Sequence, residues 1–309
     1  MNEPSFEVII IGGGPAGMSA ALVLGRSRIK TLVLNTESPR NKITTHSHGF
    51  LTQDGKHPME IFEVGKKQLT KYPAVHYVSE KAMKLTALPT GFEVHTARAK
   101  YTTERVEIAT GYTDNIAGIG IPGLTEVYGK SVYPCPFCDG FEMADKKLAV
   151  FGSAEIAPMF SKKIWHWSKD VIAFTHGEKV SDPELVANLA DKGIQVIEEK
   201  IKHIISENGQ LKAIELEDGR LINREGGFLP DPKATESTDF ALKLGIKKEV
   251  GRFGRDFYVV DENKETEIKG LFIIGDARNG WSGVAPSVAE GSEVAAAITH
   301  QIIEANWMK

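Results

Sequence analysis

The chain contains 309 residues, of which 41% are hydrophobic and 25% are charged, and its formal net charge is −4. This balance is typical of a folded globular protein, and the length suits about two domains of ~150 residues. The small negative charge and the lack of a basic block make nucleic acid and an anionic membrane surface poor partners.

The first apolar stretch, Val8–Ile11, is far shorter than the ~20 residues that a membrane span needs. It follows the acidic residues Glu3 and Glu7, whereas a signal peptide begins with a basic region. We therefore expect no membrane segment and no signal peptide, and we expect the protein to be cytoplasmic.

The chain opens with a predicted βαβ unit. Residues 6–11 form a β-branched run that ends at glycine, which predicts a buried strand. An Ala- and Leu-rich helix is predicted over Met18–Arg26 and a second strand over Thr31–Leu34. A strand, a glycine turn, a helix and a strand within about 30 residues make one such unit.

The turn of this unit has the spacing GxGxxG at Gly12, Gly14 and Gly17. Glycines allow a tight turn, close approach of the backbone to a pyrophosphate and close packing of helix on strand. The helix N-terminus adds free N–H groups and the positive end of its dipole. The turn therefore predicts a dinucleotide site, with Asn35, or else Glu37, accepting hydrogen bonds from the ribose hydroxyls.

Four further elements lead to the cysteines. They are a polar loop over Arg40–Gly55, a surface helix over Met59–Tyr72, an antiparallel hairpin over Glu93–Thr110 that ends in Ala-Thr-Gly, and a Gly-rich linker over Ile116–Gly123.

The chain has only two cysteines, Cys135 and Cys138. A disulfide-stapled secreted fold would need more, so the pair indicates either redox chemistry or half of a metal site. Zinc would require two further ligands, and the sequence has no second CxxC and no HxxxH. We therefore favour redox chemistry, in which one thiol ionises to the nucleophilic thiolate and Asp139 is the candidate acid/base for the leaving thiolate.

A second βαβ pattern follows the cysteine pair. A strand is predicted over Lys147–Gly152, a helix over Ala157–Lys169 and a strand over Val171–Thr175. The later predictions are a helix over Glu184–Lys192, strands near Gln195–Glu198 and Leu211–Glu217, and a second linker over Gly226–Thr235.

The last part of the chain contains a predicted buried strand over Gly270–Ala277 and a long Ala-rich helix over Val284–Ile303. The strand carries Gly275-Asp276, and a carboxylate at a strand end can accept hydrogen bonds from a sugar-like chain such as ribityl. Together with GxGxxG, this pair predicts FAD rather than NAD in the first domain.

These patterns predict an α/β protein with two Rossmann-like dinucleotide-binding domains, the second inserted into the first. We expect residues 1–115 and 230–309 to form the FAD-binding domain. Residues 116–229 are expected to form an inserted NAD(P)H-binding-like domain that carries the cysteine pair.

The order of the motifs resembles the low-molecular-weight thioredoxin reductase family over essentially the whole chain. The order is GxGxxG, Ala-Thr-Gly at 109–111, CxxCDG at 135–140 and Gly-Asp-Ala at 275–277. The resemblance implies an FAD enzyme, a homodimer, and a thioredoxin-like protein or a small dithiol or disulfide as substrate. It also implies that Cys138 faces the flavin, that Cys135 attacks the substrate and that Asp139 is the acid/base.

The resemblance, with the patterns above, also yields a set of expected cofactor-binding residues. The set is Gly12, Gly14, Pro15, Ala16, Gly17, Asn35, Arg40, Asn41, His48, Ala109, Thr110, Gly111, Gly275, Asp276, Ser287 and Val288.

The second glycine turn departs from the family. Where GxGxxA would bind the NADPH pyrophosphate, Ala154 introduces a methyl group and Glu155 a negative charge. The basic stretch that pairs with the 2′-phosphate is replaced by Thr-His-Gly at 175–177, and Glu178 follows. We therefore expect NADPH to bind poorly.

The loop with Arg40, Asn41, His46 and His48 resembles a subgroup that includes dithiol oxidases of the gliotoxin and holomycin type, which use oxygen. Those enzymes carry His where this chain has Asp139. Ferredoxin-dependent flavin thioredoxin reductases are similar too, so ferredoxin or flavodoxin is a candidate electron donor. The histidines either belong to a polar loop or lie over the flavin or in the substrate cleft. A redox sensor without catalysis remains the alternative from another class.

Overall fold

The structure is a computed structural model that describes residues 5–250, 256–279 and 283–308. Its residues form two compact units. Unit 1 contains the described residues up to Lys42, the segment Met59–Thr113 and the described residues from Thr235 onward. Unit 2 contains Ile43–Pro58 and Asp114–Ala234.

Unit 1 is built on a seven-stranded sheet whose order is β3-β2-β1-β6-β5-β4, with β19 also paired to β6. The pairs that β1 makes with β2 and β6 are parallel, whereas β4, β5 and β6 form an antiparallel meander. The strands are β1 (Ser5–Ile11), β2 (Thr31–Leu34), β3 (Val75–Val78), β4 (Lys84–Ala87), β5 (Phe92–His95), β6 (Lys100–Ile108) and β19 (Leu271–Ile273).

Strand β1 alternates between two cores. Val8 and Ile10 face the core that contains the helices α1 and α9, whereas Ile9 and Ile11 face the opposite core. Both faces are buried over Val8–Ile11, as expected of a central parallel strand. The helices of unit 1 are α1 (Pro15–Arg26), α2 (Pro58–Leu69), α7 (Phe240–Lys243), α8 (Asp276–Asn279) and α9 (Val284–Trp307), with a 3₁₀ turn over Arg40–Ile43.

Two small pairings complete unit 1. They are β7 (Tyr112–Thr113) with β16 (Thr235–Glu236), and β17 (Lys248–Val250) with β18 (Asp256–Tyr258).

Unit 2 has a five-stranded parallel sheet of order β11-β10-β9-β15-β8 and an antiparallel sheet β12-β13-β14. The strands are β8 (Val132–Tyr133), β9 (Leu148–Phe151), β10 (Val171–Phe174), β11 (Gln195–Ile197), β12 (Ile201–Glu207), β13 (Gln210–Leu216), β14 (Leu221–Asn223) and β15 (Gly226–Phe228). The helices are α3 (Leu124–Val127), α4 (Pro136–Asp139), α5 (Ile156–Ile164) and α6 (Pro183–Ala190), with a 3₁₀ turn over Ala117–Ile119.

These two sheets confirm the predicted fold class, since each unit contains a βαβ pattern whose first strand is followed by a glycine turn. Some predicted elements differ in length. The helix expected over Met59–Tyr72 spans Pro58–Leu69, and the helix expected over Ala157–Lys169 ends at Ile164. Strand β12 was not predicted.

The predicted linker over Gly226–Thr235 is wrong in its first part. Gly226–Phe228 is the buried strand β15, which lies between β8 and β9. A Cβ on Gly227 would lie 2.4 Å from the carbonyl oxygen of Ala149, so glycine is needed where the two backbones approach. The glycines that suggested a loop therefore serve close packing inside the sheet.

The predicted linker over Ile116–Gly123 also contributes to a core, because Ile116 and Ile121 are buried in unit 2. The contacts that define unit 2 extend it beyond the expected residues 116–229, and they add the segment Ile43–Pro58 that was expected in the first domain. Among the described residues, no helix is both long and apolar enough to cross a membrane.

Candidate active site

The cysteine pair lies at the start of α4 in unit 2. Cys135 is the N-cap residue, and Pro136, whose ring suits a first helical turn, follows it. The backbone N–H groups of Cys138 and Asp139 both donate to the carbonyl oxygen of Cys135, at 3.2 Å. Both thiols are half-buried and reduced. The short helix therefore holds the two sulfur-bearing residues and the acid Asp139 on one turn.

The two thiols ionise differently. The pKa of Cys135 is lowered, chiefly because the Cys138 thiol donates a hydrogen bond to its sulfur. Backbone N–H groups of Phe137 and Cys138 and the charge of Lys163 lower it further, against the opposing effect of burial. The pKa of Cys138 is raised, because that thiol donates to Cys135 and is itself buried. The first proton therefore leaves Cys135, which makes it the nucleophilic thiolate of the pair.

The pKa of Asp139 lies close to neutral pH. Burial raises the pKa of its carboxyl to about 7, and the negative charges of Cys135 and Glu142 add to the shift. A carboxylic acid with a pKa near the working pH can give a proton to a leaving thiolate and take it back.

Aromatic side chains lie on and beside the cysteine helix. The rings of Phe137 and Trp167 meet edge to face, with centroids 5.7 Å apart. A Cβ on Gly140 would lie 2.7 Å from the indole Nε1 of Trp167 and 2.3 Å from the carbonyl oxygen of Pro136, so glycine is required after Asp139. Phe137 and Phe141 are 74% and 85% exposed in this chain.

The first glycine turn lies in unit 1, between β1 and α1. A Cβ on Gly12 would lie 2.3 Å from the carbonyl oxygen of Ala109, and one on Gly17 would lie 1.9 Å from that of Gly12. A Cβ on Gly14, the N-cap of α1, would meet no described atom within 4 Å. The turn is therefore packed tightly on the protein side and open where a phosphate group would meet the helix N-terminus.

Other predicted cofactor residues gather beside this turn. A Cβ on Gly275 would lie 3.1 Å from the Cβ of Ala16 and 3.4 Å from the hydroxyl of Ser287. Arg40 pairs with Asp276, with Nη1 and Oδ2 3.0 Å apart. The segments around residues 16, 40, 276 and 287 therefore lie close together, and their role toward a cofactor stays a prediction.

The remaining members of the set are placed by local contacts. The hydroxyl of Thr110 lies 3.1 Å from that of Thr238. A Cβ on Gly111 would lie 3.9 Å from the Cβ of Asp276. The hydroxyl of Ser19 donates to the carbonyl oxygen of Val288 at 2.7 Å, which ties α1 to α9. Pro15 opens α1, and Asn41 lies in the 3₁₀ turn after Arg40.

Asn35 lies directly beside the first glycine turn. A Cβ on Gly13 would lie 2.9 Å from its amide group, and Nδ2 donates to the hydroxyl of Tyr77 at 2.7 Å. The alternative candidate, Glu37, is engaged by Lys66 and by the hydroxyl of Ser79. The local contacts therefore favour Asn35 over Glu37 as the polar group next to the turn.

In the second glycine turn, between β9 and α5, a backbone amide is hydrogen-bonded to a side chain of the same unit. The backbone N–H of Ala154 donates to the carboxylate of Glu178 at 2.8 Å. His176 lies where a basic residue was expected, but its Nδ1 accepts from the backbone N–H of Ile201, and burial lowers its pKa. An amide that a nucleotide phosphate would use is therefore already paired with an anion.

His48 does not belong to the unit that carries the other predicted cofactor residues. Its loop joins unit 2, where its Nε2 lies 3.5 Å from Glu142 and its Nδ1 lies 3.7 Å from Asp54. Its role toward a cofactor stays a prediction.

Sequence reasoning missed the supporting roles of Glu290, Glu142 and Trp167, and it named Glu178 without its contact to the second turn. Glu290 accepts from the backbone N–H of Gly275 at 2.7 Å and pairs with Arg278, which fixes the Gly-Asp turn. Glu142 and Trp167 flank the cysteine helix, and Glu178 caps the second turn. Two of them carried a sequence signal, since Glu142 follows Asp139 by about one helical turn and Glu178 follows the Thr-His-Gly stretch that replaces the basic residues.

No group of three or more His, Cys, Asp or Glu side chains within the described ranges could hold a metal ion.

The fold and the CxxC helix are those of a flavin-type disulfide oxidoreductase, and the comparisons agree. The sequence profile of the pyridine nucleotide-disulphide oxidoreductase family matches residues 6–291. The chain therefore belongs to that family.

Within the family, the chain is similar to thioredoxin reductases. A crystal structure of an oxidoreductase from Agrobacterium tumefaciens superposes with a TM-score of 0.87 at 34% identity, covering 97% of this chain and 99% of that one. Thioredoxin reductase aclD from Aspergillus oryzae is 29% identical, covering 98% of both chains. Thioredoxin reductase from Bacillus subtilis is 26% identical, covering 98% of this chain and 96% of its own length.

Proposed function

We propose that the protein is an FAD-dependent thiol–disulfide oxidoreductase in which Cys135 and Cys138 exchange electrons with a flavin and with a dithiol or disulfide substrate. The observation that carries this proposal is that the side chains of α4 differ in how readily they lose a proton. Cys135 ionises first, while the carboxyl of Asp139, with a pKa of about 7, keeps a proton available beside it.

The residues of unit 1 fit FAD. The open face of Gly14 leaves room for a pyrophosphate at the N-terminus of α1, and Asn35 lies beside the turn to accept from a ribose hydroxyl. Asp276, held by Arg40, is a carboxylate at the start of α8, three residues after β19 ends, and it suits the hydroxyls of a ribityl chain. When bound, FAD would supply the two electrons of each disulfide reduction or accept them from a dithiol.

The cysteines carry out the exchange with substrate. In the reducing direction, the Cys135 thiolate attacks one sulfur of the substrate disulfide, the S–S bond breaks, and the departing thiolate takes the proton of Asp139. Cys138 then gives its proton to the Asp139 carboxylate and attacks the Cys135 sulfur, so that the internal disulfide forms as the mixed disulfide with the substrate breaks. The second substrate thiolate departs and takes that proton from Asp139. The oxidation of a dithiol runs through the same steps in reverse.

The electron donor or acceptor is proposed to be something other than NADPH. The hydrogen bond from the Ala154 amide to Glu178 supports this. The pyrophosphate of NADPH would need that same amide, and there it would meet the negative charge of the Glu178 carboxylate. The open candidates are reduced ferredoxin or flavodoxin as donor, and oxygen as acceptor in a dithiol oxidase.

Relatives named thioredoxin reductase support a thioredoxin-like protein as the disulfide partner, with a small dithiol as the alternative. The exposed rings of Phe137 and Phe141 offer an apolar contact beside Cys135. We further propose a homodimer in the cytoplasm.

The matched variants Cys135→Ser and Cys138→Ser test this function. Cys135→Ser leaves Cys138 as a thiolate near the flavin, so a long-wavelength charge-transfer band is expected in the flavin spectrum. Cys138→Ser should lose both that band and electron transfer to the disulfide. Identical spectra and rates for the two variants would contradict the assigned roles.

Turnover separates the enzyme from a redox sensor. The wild type is mixed with a dithiol under air, and in parallel with reduced ferredoxin and thioredoxin under argon. Multiple turnovers in either assay support the enzyme, whereas flavin binding with a single stoichiometric reduction would identify a sensor.

A further inference from the structure

A tyrosine holds the amide group that lies beside the first glycine turn. Strands β2 and β3 pair in parallel with Val33 opposite Tyr77, and the backbone N–H of Asn35 donates to the carbonyl oxygen of Val78 at 3.1 Å. Side chains two residues apart along a strand share a face, so this register brings Asn35 to Tyr77. Its Nδ2 donates to the Tyr77 hydroxyl at 2.7 Å.

The same amide packs against the turn itself. Asn35 is only 8% exposed. A Cβ on Gly13, the variable second position of GxGxxG, would lie 2.9 Å from both Cγ and Nδ2 of Asn35. Gly13 does not have a positive φ, so contact with the amide, rather than turn geometry, accounts for a glycine at this position. The amide is therefore enclosed between the turn and the tyrosine.

Tyr77 is held in its turn by charged neighbours. The ammonium group of Lys66, on α2, lies over its ring at 5.0 Å from the centroid. Lys66 also pairs with Glu37, whose carboxylate accepts from the hydroxyl of Ser79 at 2.7 Å. Burial raises the pKa of Tyr77, so its hydroxyl keeps its proton at neutral pH. The ring is therefore fixed by α2 and by the segments that follow β2 and β3.

An amide at this position requires orientation, whereas an acid does not. A carboxylate presents two equivalent acceptor oxygens to the ribose hydroxyls. Asparagine has one acceptor oxygen and one NH₂ donor, and its hydrogen-bond partner decides which end faces a ligand. Because Tyr77 engages the NH₂ end of Asn35, the oxygen is left to accept from a ribose hydroxyl.

We propose that Tyr77 is a positioning residue, which fixes the Asn35 amide so that its oxygen accepts a hydrogen bond from the adenosine ribose of FAD. The inference rests on the proposed function and adds the residue that lets a neutral amide replace the usual acid. Tyr77 acts through Asn35 and does not itself bind the ribose.

The test is Tyr77→Phe, which removes only the hydroxyl. Bound flavin is removed from the full chain, and the dissociation constant of FAD is measured from the change in flavin fluorescence on binding. The affinity should fall about five- to tenfold, the range of one neutral hydrogen bond. The matched control is Tyr101→Phe, which alters a half-buried tyrosine on β6 of the same unit whose ring packs on Phe6. It should bind FAD like the wild type.

The same substitution in an Asn35→Asp background separates orientation from support of the fold. Both oxygens at position 35 are then acceptors, so orientation no longer matters. Loss of the Tyr77 hydroxyl should change the FAD affinity of that background by less than about twofold. A tyrosine that only supports the fold would instead weaken binding equally in the two backgrounds.

Modified cofactors test the ribose contact from the side of the ligand. Flavin dinucleotides made from FMN and either 2′-deoxy-ATP or 3′-deoxy-ATP each lack one hydroxyl of the adenosine ribose. The wild type should bind one of them about five- to tenfold more weakly than FAD, and Tyr77→Phe should lose most of this preference. Each ratio is measured within one protein, so a partly unfolded variant does not distort it.

Three results would overturn the inference: an unchanged FAD affinity in Tyr77→Phe, equal weakening in the two backgrounds, or equal weakening for all three dinucleotides. Failure of the proposed function would look different. In that case the wild type would bind no flavin dinucleotide, or it would bind FAD without any thiol–disulfide turnover.

Discussion

The carboxylate of Glu178 accepts a hydrogen bond from the backbone N–H of Ala154, with 2.8 Å between the two atoms. Ala154 stands in the second glycine turn, between β9 and α5, where a related enzyme would bind the pyrophosphate of a nicotinamide cofactor. The contact joins residues 24 positions apart and places a negative charge at an anion-binding position.

We predict that NADPH is a poor reductant of this protein. Each charged hydrogen bond to phosphate that is missing weakens binding by on the order of 1.5–3 kcal/mol, and every 1.4 kcal/mol is about tenfold in affinity. Two such losses amount to roughly a hundredfold or more. Stopped-flow mixing with millimolar NADPH under argon checks this, with dithionite as the positive control. Bleaching of the flavin within a second would contradict the prediction.

Glu178→Ala tests the contact itself. The substitution frees the Ala154 amide and removes the like charge, so ADP-ribose should bind about tenfold more tightly, which corresponds to ~1.4 kcal/mol. Isothermal titration calorimetry measures this directly. Glu184→Ala removes an exposed charge from the first turn of α6 and is the matched control. Equal affinities in the two variants would show that Glu178 does not obstruct the turn.

We predict that Gly14→Val abolishes FAD binding without unfolding the chain. A Cβ at this position meets no described protein atom within 4 Å, so the side chain would occupy the place of the pyrophosphate. Flavin absorbance after incubation with FAD, together with far-ultraviolet circular dichroism, checks both parts. The smaller Gly14→Ala change should give an intermediate affinity. A yellow Gly14→Val protein would argue against the proposed cofactor position.

The reduction of alkyl disulfides should depend on the protonation of Asp139. Because the pKa of its carboxyl is about 7, the proton is present below that pH and is lost as the pH rises through it. The wild-type rate should therefore fall above pH ~7, the range set by this group. Asp139→Asn should lower the rate below that pH by roughly 10²–10⁴ and remove the limb. Reduction of the flavin by dithionite serves as the control and should not change.

Glu107 is predicted to destabilise the fold at neutral pH. It lies in β6 opposite Ile10 and Phe272, fully buried, and neither carboxylate oxygen has a hydrogen-bond partner among the described residues. Burial raises its pKa well above the usual range. The unfolded chain therefore loses this proton at lower pH than the folded chain, and stability declines as the pH rises above the unfolded value of about 4.3.

Glu107→Leu removes this buried polar group. The free energy of unfolding should rise by about 1–3 kcal/mol, and the gain should be larger at pH 8 than at pH 5. Thermal unfolding at the two pH values measures it. Glu104→Leu, an exposed position on the same strand, should change little at either pH. A gain that is equal at both pH values would indicate better packing rather than removal of a charge.

The sequence by itself determined the features that depend on neighbours in the chain. The GxGxxG turn, the CxxC pair with Asp139 and the buried strand β1 each need only a few consecutive residues, because turn geometry and strand burial are local properties. The same holds for the two βαβ patterns, which predicted the fold class that the structure confirms.

Contacts between distant segments were decided only by the tertiary structure. Gly226–Phe228 has the composition of a loop, but β15 is a strand because its glycines let the backbone approach Ala149 inside the sheet. The contacts of Glu178 with Ala154 and of His48 with Glu142 depend on how a turn or a loop folds back. The free energy of such contacts comes from packing and pairing across the fold. The sequence pattern of either segment alone therefore does not predict the contact.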